Sequence, residues 1–276
     1  MDALCQVGTW PVETAAVVVL GREGEIAAHG PRDRVLRWAS VTKLLTAYAC
    51  LVALDEGTLD LDEPAGPRGS TVRHLLAHAS GLPFERDGEV LARPGTRRIY
   101  SNPGFEALAE HLATRAGMPF AEYMLSAVLA PLGVGAELRG SPAHALHGSL
   151  DHLARFAAEL LRPRLVAPET LAAATAVQFP GLSGVLPGVG RFDPLDWGLG
   201  FELKDGKEPH WMGRATSPRT FGHFGGSGTF LWVDPDGGVA VACLTDRTFG
   251  PWALEAWPAL SDAVLGEVGR PPASPG

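Results

Sequence analysis

Ser40 and Lys43 are a pair of residues whose types and spacing suggest nucleophilic chemistry. Residues three apart share one face of a helix, and positions 40–55 carry the apolar pattern of a largely buried helix. Lys43 is the only formal charge between Arg37 and Asp55, and burying an unpaired ammonium costs several kcal/mol. A desolvated amine with a lowered pKa can act as the base that activates a hydroxyl. The spacing therefore predicts an activated serine; the alternative is an N-capping Ser40 with a Lys43 that extends to solvent.

Tyr100 and Asn102 form a second pair, separated by one residue. The chain contains three tyrosines and a single asparagine, so chance rarely produces this combination. A phenol can pass a proton to a leaving group, and a carboxamide can both donate and accept hydrogen bonds toward a substrate. Because Pro103 follows, Asn102 is also a candidate cap for the next helix, and the two roles are compatible.

A third element consists of His223, Phe224, Gly225 and Gly226, which lead into a strand that ends at Val233. Successive glycines allow a ligand to approach the backbone, as at a sheet edge that lines a cleft. Taken alone, the same pattern also fits an ordinary glycine-rich turn.

Strands are predicted near both ends of the chain, with helices between them. The predicted hairpins span residues 15–28 and 228–244. The predicted helices span residues 40–55, 71–78, 103–116, 120–129, 149–161 and 252–268. A long loop is predicted over residues 179–196 and a strand over residues 197–203. We therefore expect an α+β fold in which a mainly antiparallel sheet, built from both chain ends and flanked by helices, carries an inserted all-helical lobe.

Composition narrows the class of partner. The chain has 276 residues, a net charge of −8 and 46% hydrophobic residues, which is ordinary for a globular protein and argues against a nucleic-acid or anionic-membrane partner. No uncharged apolar stretch reaches the roughly 20 residues needed to cross a bilayer, and the N-terminus lacks the features of a secretory signal. Of the three cysteines, Cys50 and Cys243 lie in apolar runs and are predicted to be buried reduced thiols. These features predict a soluble, cytoplasmic protein.

Other catalytic and cofactor patterns are absent from the sequence. His74 and His78 are four apart on a predicted helix, but Leu75 stands where the zincin pattern needs glutamate. The sequence contains no Gly-x-Ser-x-Gly elbow, no P-loop and no dinucleotide-binding glycine pattern after a strand. We therefore expect no metal and no cofactor.

Together and in this order, the three elements resemble the motifs of the serine β-lactamase and penicillin-binding protein superfamily, and most closely its class C β-lactamase-like esterases and transacylases. That family has a serine–two residues–lysine motif at a helix start, a tyrosine–any–asparagine motif on a loop, and a basic residue–any–glycine triplet on a strand that lines the cleft. The stretch 71–83 also resembles the family. The resemblance runs from about Val17 to Leu244 and implies one catalytic domain over residues 1–276. Its sheet lobe would span about 1–57 and 190–268, its helical lobe about 58–189, and a mobile tail 269–276.

The resemblance also implies roles for the first two motifs. Ser40 would be the acylated nucleophile, and Lys43 would take its proton. Tyr100 would share the duty of base and pass the proton to the leaving group. Asn102 would bind the acyl-side amide of the substrate or hold Lys43.

The third motif departs from the family's usual lysine-threonine-glycine. The resemblance implies that His223, Phe224 and Gly225 contact the substrate, and that the backbone N–H groups of Ser40 and Gly226 form the oxyanion hole. Histidine is largely neutral at pH 7 unless its surroundings raise its pKa, whereas lysine is a permanent cation. Phe224 also lacks the hydroxyl of threonine. Both changes are expected to weaken recognition of the carboxylate of penicillins or D-alanyl peptides.

We therefore expect a serine hydrolase that forms an acyl-enzyme at Ser40 and acts on a small-molecule ester or amide. One alternative within the same chemistry is a β-lactamase, D-amino-acid peptidase or transacylase acting on a lactam or amide. Another is a non-catalytic, penicillin-binding-like sensor that keeps the pocket without turnover.

Overall fold

A computed structural model of the protein describes residues 1–85 and 89–269. The strands, in chain order, are β1 (Ala15–Gly21), β2 (Gly24–His29), β3 (Leu36–Arg37), β4 (Arg98–Ile99), β5 (Glu137–Leu138), β6 (Leu146–Gly148), β7 (Gly184–Leu186), β8 (Gly190–Phe192), β9 (Glu202–Leu203), β10 (Phe221–Gly225), β11 (Thr229–Asp234) and β12 (Val239–Thr245). The α-helices are α1 (Thr42–Asp55), α2 (Val72–Leu76), α3 (Asn102–Ala116), α4 (Phe120–Met124), α5 (Leu150–Leu161), α6 (Pro168–Ala174) and α7 (Pro251–Val268). Two 3-10 segments (Asp2–Thr9 and Ala39–Val41) and one π-helical segment (Leu125–Leu129) complete these elements.

The central sheet has six strands in the order β2-β1-β12-β11-β10-β9, and every neighbouring pair is antiparallel. Strand β1, near the start of the chain, pairs with β12, near its end, so that Val17 lies opposite Cys243. The sheet is therefore built from both ends of the chain, and both predicted hairpins are confirmed. The α+β fold class is confirmed as well.

The sheet lies between two hydrophobic clusters because its strands are apolar on both faces. Side chains alternate along a strand, so Val18 joins the cluster that contains α1 and α5, whereas Val17 joins the cluster that contains α7 and the N-terminal 3-10 segment. Cys50 and Cys243 are both free and buried, as predicted.

Helix α1 is surrounded on all sides, since every residue from Thr42 to Ala53 is buried. A helix that is apolar all round is expected at such a position. The predicted helix is confirmed, with one refinement: Ser40 lies in the 3-10 turn Ala39–Val41 that leads into α1.

The inserted part of the chain differs from the prediction in four respects. It contains short strands, so the expected all-helical lobe is not purely helical, and α6 had not been predicted. Residues 179–196 carry the β7–β8 hairpin instead of only a loop, because β7 pairs in parallel with β4 and buries Leu186. Helix α2 ends at Leu76, so the prediction that His74 and His78 share a helix is wrong.

The strand predicted over residues 197–203 is reduced to β9. Gly200 adopts a φ of 85°, and the backbone N–H of Gly198 donates to the carbonyl of Phe201 at 2.8 Å. These glycines turn the chain before it joins the sheet edge, so Trp197 and Glu202 face each other in an isolated bridge.

Within the described residues, no helix has the length and apolar character needed to span a membrane. Helix α7 ends at Val268. Of the predicted mobile tail at 269–276, residue 269 is described and residues 270–276 lie outside the described residues.

Candidate active site

Ser40 lies at the junction between the sheet and α1. The preceding residue, Ala39, has a φ of 44°, a left-handed conformation that residues other than glycine rarely adopt. Such strain persists only where the surrounding fold imposes it, and it is found often at functional sites. Ser40 itself is half-buried, so its hydroxyl stands at the edge of the core.

The Lys43 side chain is fully buried and reaches back toward Ser40. Its Nζ lies 3.4 Å from Oγ of Ser40, 2.6 Å from Oδ1 of Asn102 and 2.9 Å from the carbonyl oxygen of Ala143. The same nitrogen lies 4.7 Å from the centre of the Tyr100 ring. Lys43 therefore does not extend to solvent, and that alternative reading is wrong.

Burial is the main influence on the charge of Lys43. It lowers the pKa of the amine well below the ordinary value, because a charged group loses its hydration. The carboxylates of Glu85 and Glu106 act in the opposite direction and offset only part of this effect. The result favours the neutral amine, the form that can accept a proton.

Tyr100 also lies beside Ser40 and is 7% exposed. A side-chain hydrogen bond joins Tyr100 to Ser40. Burial raises the pKa of the phenol far above its ordinary value; the hydrogen bond with Ser40 opposes this rise, and Glu202 and Glu85 add to it. The phenol is therefore protonated at neutral pH, beside an amine whose pKa is lowered by burial.

Asn102 is the first residue of α3, and the preceding Ser101 caps that helix by accepting a hydrogen bond from the Gly104 N–H at 2.9 Å. The reading of Asn102 as the cap is thus wrong. Its Oδ1 accepts from Lys43, and its Nδ2 donates to Oε1 of Glu85 at 3.3 Å. Of the two contacts expected for Asn102, the structure contains the one with Lys43.

His223 on β10 is buried, with its ring centre 5.6 Å from that of Tyr100 and 5.7 Å from that of Trp197. Its Nδ1 contacts the carbonyl of Phe224, and its Nε2 has no hydrogen-bond partner among the described residues. Burial, reinforced by the charge of Lys43, lowers the pKa of His223 to about 4. The imidazole is therefore neutral at pH 7, and the site presents no cation at this position.

Gly225 brings the end of β10 against the turn that carries Ser40. A β-carbon at Gly225 would lie 2.5 Å from the Trp38 carbonyl and 3.1 Å from the Ser40 nitrogen, so only glycine allows this approach. Gly226 follows and is exposed. Among residues 1–85 and 89–269, the backbone N–H groups of Ser40 and Gly226 donate no hydrogen bond to the protein. Both remain available to a substrate oxygen.

The structure does not bring the Phe224 side chain to Ser40. Side chains alternate along β10, so Phe224 lies on the opposite face of the sheet from His223. Its ring packs against Phe249 at 4.5 Å, Trp211 at 5.4 Å and Trp257 at 6.1 Å between ring centres. Its place in this cluster corrects the expectation that its side chain contacts the substrate.

Sequence reasoning missed several groups around the motifs. The carbonyl of Ala143, a backbone group 100 residues from Lys43, leaves no signal in the sequence. Glu85 and Trp197 likewise reach the site only through the tertiary fold. His78 was considered as a metal ligand and set aside, yet its ring lies 4.5 Å from that of Tyr100.

A cavity of about 1270 Å³ opens beside the site, along α3. Its lining includes Asn102 and apolar residues such as Leu82, Ala107 and Phe120. This space is large enough for a small-molecule substrate.

Comparison with known proteins gives one family. A family model described as Beta-lactamase matches residues 11–265. Among curated proteins, the D-alanyl-D-alanine-carboxypeptidase/endopeptidase AmpH of Escherichia coli is 30% identical over 173 residues, covering 46% of this chain and 45% of AmpH. The match thus spans less than half of that relative. A beta-lactamase of Pseudomonas fluorescens is 25% identical over 284 residues, covering 76% of this chain and 78% of that protein.

Solved structures agree with this family. A crystal structure described as a beta-lactamase from Mycobacterium bovis is 54% identical, has a TM-score of 0.94 and covers 96% of this chain and 99% of that one. The simvastatin synthase LovD of Aspergillus terreus has a TM-score of 0.77 at 17% identity, covering 96% of this chain and 97% of that one, and shares the fold.

Proposed function

The chain belongs to the beta-lactamase family, and on that premise we propose that it is a serine hydrolase that acts through an acyl-enzyme at Ser40 on an ester or a small amide. Its reaction would need no metal and no cofactor, because a hydroxyl, an amine and a phenol supply the proton transfers. One observation carries this proposal: a fully buried Lys43 amine 3.4 Å from the Ser40 hydroxyl.

The contacts of Lys43 suit a neutral amine. Such an amine has two N–H bonds and one lone pair. The two shorter contacts, to Asn102 Oδ1 at 2.6 Å and to the Ala143 carbonyl at 2.9 Å, accept the two protons. The remaining direction, toward Ser40 Oγ, is left for the lone pair. Lys43 is therefore oriented to receive the hydroxyl proton.

The proposed reaction has two halves. In the first, Ser40 Oγ attacks the substrate carbonyl carbon as its proton moves to Lys43, and the N–H groups of Ser40 and Gly226 bind the oxyanion that forms. The protonated Tyr100 phenol then donates to the leaving oxygen or nitrogen and is reprotonated from Lys43, and the C–O or C–N bond breaks. In the second half, water attacks the Ser40 ester by the reverse proton path. General base catalysis typically contributes about 10²–10⁴-fold, and loss of one oxyanion-hole donor costs about 10²–10³-fold.

The state of His223 supports a substrate without a carboxylate beside the acyl group. A lysine at this position would pair with a carboxylate through a charge-assisted hydrogen bond. A buried imidazole with a pKa of about 4 is neutral at pH 7 and forms no such pair. This favours esters and small neutral amides over penicillins and D-alanyl peptides.

The second candidate function is that of a β-lactamase, D-amino-acid peptidase or transacylase. The descriptions of the Mycobacterium bovis structure and of AmpH favour it. A third candidate, a sensor that is acylated but does not turn over, uses the same nucleophile without the second half-reaction.

Labelling and turnover distinguish these candidates. We expect a fluorophosphonate to modify Ser40, as located by peptide mass spectrometry, and short-chain p-nitrophenyl esters to be hydrolysed. Ser40→Ala should abolish both, and Lys43→Met, which keeps the volume of the buried side chain, should abolish turnover. Ser126→Ala, which changes a serine whose hydroxyl bonds the Tyr123 carbonyl, is the matched control. Labelling without turnover would support the sensor, and faster hydrolysis of nitrocefin than of esters would support the β-lactamase.

A further inference from the structure

His78 contacts the backbone on both sides of Tyr100. Its carbonyl oxygen accepts a hydrogen bond from the Ile99 N–H at 2.9 Å, and its Nδ1 accepts one from the Ser101 N–H at 3.1 Å. Its imidazole also lies against the Tyr100 ring, with centres 4.5 Å apart and planes at 39°. His78 therefore contacts three neighbouring parts of the chain: the backbone of Ile99, the ring of Tyr100 and the backbone of Ser101.

The turn that carries His78 is itself fixed. His78 has a φ of 52°, in the left-handed region, and is 1% exposed. The buried Arg98 guanidinium donates to the carbonyl of Ala77, the residue before His78, and to the carbonyls of Leu195 and Gln178. A strained residue in a turn held this tightly indicates that its conformation is imposed by the fold.

The contacts also define the protonation state of His78. Because Nδ1 accepts from a backbone N–H, the ring proton must be on Nε2. Burial lowers the pKa of the ring well below its ordinary value, and the nearby groups Lys43, His223 and Arg98 all act in the same direction. A protonated ring would place an N–H against the N–H of Ser101. The Nδ1 acceptor is therefore permanent near neutral pH.

We infer that His78 is a positioning residue for the proposed reaction: it fixes the backbone and the ring of Tyr100 so that the phenol meets the Ser40 hydroxyl. This inference rests on the proposed function. His78 lies outside the three motifs, yet it sets the position of Tyr100 relative to Ser40. Since a misplacement of about 1 Å at a reacting group can cost about 10²-fold in rate, loss of this hold should reduce kcat.

A pair of variants isolates the Nδ1 acceptor. Asparagine and glycine both accept a φ near 52°, and both lack the imidazole ring. Only His78→Asn offers a side-chain oxygen close to the position of Nδ1. We expect His78→Gly to lower kcat for a p-nitrophenyl ester by about 10²-fold, with a smaller change in KM. His78→Asn should retain at least tenfold more kcat than His78→Gly.

Rates are expressed per Ser40 that a fluorophosphonate can label, so that misfolded protein does not count. His74→Asn is the control, since the His74 Nδ1 bonds Thr71 Oγ1 at 2.8 Å and its ring stacks on Phe179, away from Tyr100. Equal kcat in the two His78 variants, with an active wild type, would overturn the inference and leave the proposed function intact. A wild type that hydrolyses no ester would instead overturn the proposed function and this inference with it.

A measurement on the wild type keeps the inference testable if the variants do not fold. Nitrogen NMR of histidine-labelled protein is expected to show the His78 imidazole with an unprotonated Nδ1 and a protonated Nε2 throughout pH 6–8. A His78 ring protonated on Nδ1 in that range cannot accept from Ser101, and this result would overturn the inference.

Discussion

The side-chain nitrogen of Lys43 lies 2.6 Å from the side-chain oxygen of Asn102. The partner of the buried amine is thus a neutral amide, although Glu85 lies just behind it, 3.3 Å from the Asn102 nitrogen. A neutral acceptor orients the lysine without adding the negative charge that would stabilise its ammonium form. The arrangement therefore holds the amine in the core and favours the form that can accept a proton.

Asn102→Asp should convert this neutral contact into an ion pair. An opposite charge at this distance favours the charged form of a titrating group by about one to three pKa units. The pKa of Lys43 should rise, and the ascending limb of the kcat/KM profile should move to higher pH by at least about one unit. Ester hydrolysis across pH 5–10 measures the shift.

Glu85→Gln is the complementary change. The Glu85 carboxylate raises the pKa of Lys43, so its removal should move the same limb to lower pH. The two variants together separate charge from shape, because each replacement is nearly isosteric. If the kcat/KM pH profile is unchanged in both variants, the pKa of Lys43 does not determine its ascending limb.

Gly225→Ala should damage the site through geometry alone. Its new methyl group would lie 2.5 Å from the Trp38 carbonyl, a contact that forces β10 away from the turn of Ser40. We expect a loss of about 10²-fold in kcat, measured by ester turnover per labelled Ser40. Gly190→Ala, where a β-carbon meets nothing within 4 Å, should keep wild-type kcat. Wild-type turnover in Gly225→Ala would show that this close approach is unimportant.

The stability of the protein should depend on His223 at acidic pH. Its pKa in the folded state is about 4, against an ordinary value of 6.5, so between these values the unfolded state binds the proton more readily. The free energy of unfolding should therefore fall as the pH drops from 6.5 toward 4, by about 3 kcal/mol for this fully buried group. Urea unfolding at pH 7 and pH 4 measures it, and His223→Gln should lose about this much less stability over the same interval. An equal loss in both proteins would contradict the assignment.

His223→Lys should change substrate preference. A permanent cation at this position can form a charge-assisted hydrogen bond with a substrate carboxylate, worth about 1.5–3 kcal/mol. We expect KM for a penicillin to fall by at least about tenfold, while KM for the methyl ester of the same penicillin stays within error. An unchanged KM for both would mean that His223 does not face the acyl pocket.

Local sequence features predicted much of the fold and the centre of the site. The apolar run around Lys43 and the hairpin turns act over a few residues, so α1 and the hairpins β1–β2 and β11–β12 follow from periodicity and turn chemistry. Ser40 and Lys43 are adjacent because one helical turn separates them. Tyr100 and Asn102 required the family resemblance, since nothing in their own segment indicates that they face Ser40.

Long-range packing explains what the sequence did not reveal. The Ala143 carbonyl is a backbone group, and its contact with Lys43 depends on how two distant segments pack. His78 looked like a member of a helical pair because its turn is determined by Arg98 and Tyr100, which follow it by about 20 residues. Once the triplet is assigned to β10, strand alternation alone predicts that the Phe224 side chain lies on the other face of the sheet from His223.

The charge of Lys43 tests the proposed activation of Ser40 most directly. The chain has three lysines, so NMR of protein labelled at the lysine side-chain nitrogen gives few signals, and Lys43→Met assigns the one of interest. We predict a neutral amine at pH 7 that takes up its proton well below the ordinary lysine pKa of 10.5. A Lys43 signal that is a cation at pH 7 and titrates near 10.5 would contradict it.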